Sequence, residues 1–110
     1  MRGMLQWIAG AIAFAAGAAG ALAQTPAFPA KPIRMIVPFT PGGSTDVVAR
    51  MLGQKLTDAW GQSVVVDNRA GAGGNLGADV VAKSAPDGHT LLFASGSITI
   101  NPSIYANMPF

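Results

Sequence analysis

Three short apolar runs, each followed by a break of glycine, proline or small hydroxyl residues, constrain this chain more than any other feature. They are residues 33–39 (IRMIVPF), 63–68 (SVVVDN) and 90–94 (TLLFA). Short runs rich in β-branched residues and bounded by Gly or Pro predict buried strands. Between the first two, the pattern changes to helical period. Val47, Val48, Met51, Leu52 and Leu56 fall on one stripe, with Trp60 close to it. Ser44 or Thr45 is the expected cap, Asp46 places a negative charge in the first turn, and Gly61 ends the helix. A second, shorter helix is expected over 75–84, with Leu76, Val80 and Val81 inward. Pro86-Asp87-Gly88 is a turn, because Pro presets one corner and Gly relaxes the next. Residues 95–102 (SGSITINP) read as polar loop, and 103–110 could open a helix that stops at once.

Strands alternating with helices predict an α/β fold with parallel strands and right-handed crossovers. The first strand is expected at the centre, with the second and third on either side. A three-strand parallel sheet leaves edges unpaired and faces uncovered. The chain is therefore expected to be one piece of a larger fold.

In such a sheet, ligands bind beyond the carboxyl ends of the strands. That rim carries residues 38–45, 69–75 and 95–101, all rich in Gly or small hydroxyl side chains. A Gly-rich turn before a helix leaves backbone N–H groups unshielded, and the helix dipole adds a positive end, so the pair suits an anion. Plain turn chemistry at Gly42-Gly43, and tight helix–strand packing at Gly71, Gly73, Gly74 and Gly77, are the structural alternatives. Loops this short, lined by Ser44, Thr45, Asn75, Ser95 and Ser97, suit a carboxylate better than a nucleotide. Arg69 reads as a solvated loop charge, Asn101 as a turn residue within reach of the rim, and His89 as a surface residue without a role.

Enzyme chemistry is poorly supplied. The chain has one His, no Cys, and five acidic residues that are all Asp. Nucleophile–base pairs and metal sites therefore lack material, and no catalytic residue, metal or cofactor is assigned. The run Gly71-Ala72-Gly73-Gly74-Asn75-Leu76-Gly77 fits G-x-G-x-x-G only loosely, because Leu76 stands at the third Gly position. Phe93 stands where a nucleophile elbow at Ser95 would need Gly. A Rossmann-like nucleotide-binding enzyme fragment is thus the weaker alternative. The net charge of +2 is too small and scattered to suggest a nucleic-acid surface.

The N-terminus bears on address. Arg2 precedes an apolar run from Met4 to about Leu22 that ends in Ala21-Leu22-Ala23. That layout favours a secretory signal peptide over residues 1–23 rather than a membrane anchor, with contact to the membrane only before cleavage. Residues 24–32 (QTPAFPAKP) hold three prolines and read as an extended lead-in.

Three regions then carry a resemblance. Pro32 to Phe39 with Pro41-Gly42-Gly43-Ser44-Thr45-Asp46 resembles the opening signature of the Bug receptors, the extracytoplasmic substrate-binding proteins of tripartite tricarboxylate transporters. Val65 to Arg69 with Gly71 to Gly77, then Ala85 to Leu92 and Asn101-Pro102, resemble later regions of the same family. The resemblance implies a Venus-flytrap (type II periplasmic binding protein) fold, of which residues 33–110 form the first part of the first lobe. It implies a periplasmic receptor for a small carboxylate, with membrane transporter subunits as partners. A ligand sensor for a regulatory system is the alternative role. It also nominates ligand-binding residues: Thr40, Ser44 and Thr45 in one loop, Ala72, Gly74 and Asn75 in the next, and Ser95 to Ser97 facing the same cleft, with Asp46 stabilising the first loop and helix start.

Overall fold

The computed structural model describes residues 25–110; the signal-peptide expectation lies outside them. Strand β1 (Ile33–Val37), helix α1 (Ser44–Trp60), strand β2 (Val64–Asn68), helix α2 (Asn75–Ala82), strand β3 (Thr90–Leu92) and helix α3 (Ser97–Ile104) follow one another. A single 3-10 turn, Ala72–Gly74, leads into α2.

The sheet order is β2-β1-β3, and both pairings are parallel. Ile33 lies opposite Val64 and Val37 opposite Asn68 on one side of β1, while Met35 lies opposite Leu91 on the other. The central strand is the most apolar because both its faces are covered: Ile33, Met35, Ile36 and Val37 are all buried. The chain steps from β1 to β2 on one side, then back across β1 to β3. Right-handed connections in opposite directions put α1 and α2 on opposite faces. Met35, Val37 and Ala49 form the core under α1, with Leu56, Val64, Val66 and Phe93 packed against it.

The helix faces differ from the expected ones. On α1 the buried residues are Asp46, Ala49 and Gly53, whereas Val47, Val48, Met51 and Leu52 are exposed. Close approach explains this. A Cβ on Gly53 would meet Val64 Cγ1 at 3.4 Å, so the helix touches the sheet through its smallest residues. On α2, likewise, Gly77 and Ala78 face in while Leu76 is 49% exposed.

Residues 95–102, expected as loop, contribute most of α3 instead. Its β-branched residues are indifferent helix formers, and Pro102 lies inside it and removes one N–H. Packing against the 3-10 turn and α2 outweighs that local preference. His89 is also not a surface residue. Its side chain is only 12% exposed and lies against Phe28, ring centroids 4.9 Å apart. Phe28 in turn meets Trp60 edge-on, which ties the lead-in to the sheet's amino end.

Candidate functional site

All three loops that follow the strands leave the same rim, because the strands are parallel. The first begins at Pro38, which is fully buried. Gly42 takes φ +87°, the conformation a type II turn requires at its third position, after Pro41. Gly43 is the N-cap of α1 in extended conformation, and no side chain caps the helix. Ser44 is therefore the first helical residue, not the cap, and Thr45 the second. The Val47 N–H returns to Gly43 O at 3.0 Å. Among the described residues no backbone loop or side-chain acceptor takes the N–H groups of Ser44, Thr45 or Asp46. The first turn of α1 thus offers amides at the rim, next to the exposed Thr40 and Ser44.

Asp46 fixes that turn from below. Its Oδ2 accepts from Gly42 N–H (2.9 Å) and Arg50 Nε (3.0 Å), and its Oδ1 from Asn68 Nδ2 (3.0 Å). Asn68 also donates to Phe39 O and accepts from Arg50 Nη2. The Arg50 guanidinium first, then the Gly42 amide and the Asn68 side chain, hold the Asp46 carboxyl at about 2. Asp46 is accordingly a buried anion already provided with donors. It secures the loop and helix start as expected.

The second loop is held against the first. Arg69 N–H donates to Val37 O at 2.8 Å. A Cβ on Gly77 would lie 2.7 Å from Pro38 Cβ and 3.1 Å from Arg69 O, so Gly77 serves helix–loop packing. Ala72, Gly73 and Gly74 run through φ values of 48°, 64° and 100°. Such a left-handed run turns successive amides inward. They are not bare, as the sequence led us to expect. Gly71 O accepts from Gly74 N–H at 2.9 Å and from Leu76 N–H at 3.5 Å, and Ala72 O from Asn75 N–H. Amides at this rim are thus offered by the first turn of α1, whereas in the glycine loop the Gly74, Asn75 and Leu76 amides are taken by the loop's own carbonyls.

Of the remaining nominated residues, Ala72 is exposed at the loop tip and Gly74 is buried. The Asn75 side chain is buried too: its Oδ1 accepts from Asn101 Nδ2 at 2.6 Å, and its Nδ2 lies 3.7 Å from Met108 Sδ. Ser95 and Ser97 meet at 3.3 Å between their Oγ atoms, with Ser97 opening α3. Arg69 is not a lone charge but pairs with Asp67 at 3.1 Å, which Arg34 also holds. These guanidinium groups, Arg34 foremost, lower the Asp67 carboxyl. An open groove of about 420 Å³ runs over the β1–β2 face between Pro32, Arg34, Val65 and Asp67. None of the nominated rim residues lines it, and its charges are already paired with one another.

A parallel sheet with helices on both faces and a donor-bearing carboxyl rim defines the class of α/β binding proteins. Solved structures place it there. A chain described as the periplasmic binding protein BugD matches with a TM-score of 0.72 and 41% identity, over 76% of this chain and 28% of that one. A second, R. palustris Rpa4515 with adipate, matches with a TM-score of 0.71 and 38% identity over the same shares. Residues 48–110 match the model of the tripartite tricarboxylate transporter family receptor, and the chain belongs to that family. Protein BugT of Bordetella pertussis is 56% identical over 85 residues, which cover 76% of this chain and 26% of the relative. The chain spans about a quarter of the length of the curated relatives it matches.

Proposed function

We propose that this sequence supplies the first part of the first lobe of a periplasmic receptor that captures a small carboxylate for a tripartite tricarboxylate transporter. The observation that carries the reading is the uncapped first turn of α1. Three amides at Ser44, Thr45 and Asp46, with the hydroxyls of Thr40, Ser44 and Thr45 beside them, face a rim where an anion gains both hydrogen bonds and the helix dipole. The committed pairing of Asp46 with Arg50 and Asn68 keeps its charge from opposing that anion directly. Ser95 and Ser97 add hydroxyls from the third loop. A relative of similar fold solved with adipate supports the choice of a carboxylate.

Under this reading residues 1–23 are a secretion signal, and a second lobe closes over the ligand and presents the closed form to the membrane subunits. The role is binding and delivery rather than catalysis. Titration calorimetry of the intact polypeptide against adipate, malate, citrate, glutamate and benzoate tests the reading. Saturable binding of at least one acid supports it. Heat-silent titrations with all five, alongside saturable binding of NAD, would turn the assignment toward a nucleotide-binding enzyme. Residues 24–110 alone are expected to bind weakly or not at all, and micromolar affinity from that segment would remove the need for a second lobe.

A further inference from the structure

One face of α3 reaches into the glycine loop. Ile98 and Asn101, three apart, share that face, and Tyr105, the residue that caps the helix end, follows four positions on. Ile98 Cδ1 stands 3.1 Å from where a Cβ on Gly74 would sit, and Tyr105 Oη 3.0 Å from where a Cβ on Gly73 would sit. Between them Asn101, 4% exposed, sends one amide hydrogen to Gly73 O at 3.0 Å and the other to Asn75 Oδ1 at 2.6 Å.

These contacts fix a peptide plane. Its carbonyl, Gly73 O, points to Asn101, and its N–H, on Gly74, points the opposite way to Gly71 O. A run of left-handed residues that includes a non-glycine, Ala72, is unfavourable alone and persists only when its surroundings over-determine it. Gly71 O secures one end of this plane and Asn101 the other. The Asn75 side chain, at the start of α2, is held by the same amide.

We propose that Asn101 is a positioning residue of the receptor: it locks the Gly73–Gly74 peptide and the Asn75 side chain, and so sets the shape of the second loop at the ligand rim. This rests on the carboxylate reading of that rim. Asn101 itself is turned into the protein, and its side-chain amide is spent on the loop.

The test compares Asn101→Asp, Asn101→Gln and, as a control on the exposed side of α3, Ser103→Ala, all in the intact polypeptide. Asn101→Asp removes both donors and sets a carboxylate against Gly73 O and Asn75 Oδ1. Amide hydrogen exchange by NMR, adipate titration and thermal unfolding are read together. Exchange at Gly74 and Leu76 is expected to quicken by about tenfold or more while Met35 and Ile36 stay protected, and adipate affinity to fall by about tenfold. Asn101→Gln, which keeps the amide, should restore part of both, and it stands in if Asn101→Asp does not fold. Uniform acceleration across sheet and loop with a lower Tm and unchanged affinity would reduce Asn101 to a fold-stabilising residue and overturn the proposal. Unprotected Gly74 and Leu76 amides in the unaltered protein would overturn it too. Should the unaltered protein take no acid, the carboxylate reading fails by itself, and the exchange pattern still decides whether Asn101 sets the loop.

Discussion

Asn68 Nδ2 donates to Asp46 Oδ1 at 3.0 Å, joining the end of β2 to the first turn of α1. The bond links two rim segments that lie 22 positions apart in sequence. Asp46 is nearly inaccessible yet ionised, because Gly42, Arg50 and Asn68 between them supply its oxygens. Removing the carboxylate leaves those donors without their acceptor.

Asp46→Ala is therefore expected to lower the Tm more than Asp46→Asn, which keeps one acceptor for the Gly42 amide. Thermal unfolding followed by circular dichroism measures both. Equal Tm values for all three proteins would mean that the network contributes nothing.

The same group gives a pH dependence with a definite sign. The folded Asp46 carboxyl sits at about 2, below its ordinary value of 3.8, chiefly through Arg50. A lowered folded value means stability that is present above the unfolded value and lost as pH falls through the folded one. The stability difference between the native chain and Asp46→Asn should hold steady at neutral pH and shrink from about pH 4 down toward pH 2. Asp87, also at about 2 through the His89 amide and Lys31, weakens in the same window but cancels in that difference. A gap that widens on acidification would contradict the assignment.

Two glycines separate space from conformation. Gly77→Ala puts a methyl 2.7 Å from Pro38 Cβ and 3.0 Å from its Cα. Overpacking of this kind costs about 1–3 kcal/mol. Gly42→Ala meets nothing within 4 Å, but its φ of +87° is left-handed, a cost of about 1–2 kcal/mol for a residue with Cβ. Urea unfolding should show both losses. Pro38→Ala should ease neither loss, because Ala keeps the Cα and Cβ that the Gly77→Ala methyl would meet, and Gly42→Ala meets no neighbour.

The face that α1 buries is open to direct test. Ala49 is fully buried and Met51 is 66% exposed. Ala49→Leu should cost about 1–3 kcal/mol by overpacking, and Met51→Ala should change stability by less than about 0.5 kcal/mol. Of the expected stripe only Leu56 packs against the core, and the reverse order in chemical denaturation would restore Val47, Val48, Met51 and Leu52 to that face.

The strands, their order and the position of Gly61 as a left-handed helix end were legible because each rests on a local signal: a β-branched run, a break, or a residue with a conformation few others adopt. The rim followed from the parallel order alone. Hydrophobicity misled on both sheet-covering helices. At Gly53 and Gly77 the distance of closest approach, not apolar character, selects the inward face, and periodicity counts only apolar residues. Residues 95–102 misled for a different reason. Their hydroxyl, Ile and Pro content favours no helix, and the contacts that hold α3 come from Gly73, Gly74 and Asn75, more than twenty positions away.

From its residues alone, then, this chain dictated an alternating α/β order, a central first strand and a rim of short loops rich in Gly and small hydroxyl residues. Only tertiary structure decided which amides remain open there. The α1 turn lacks a side-chain cap because its N-cap residue, Gly43, has no side chain, whereas in the glycine loop Gly71 O takes the Gly74 N–H and Asn101 holds Gly73 O. The physical reason is that a backbone N–H is satisfied by whichever acceptor folding brings within about 3 Å, and sequence spacing does not reveal which one that is.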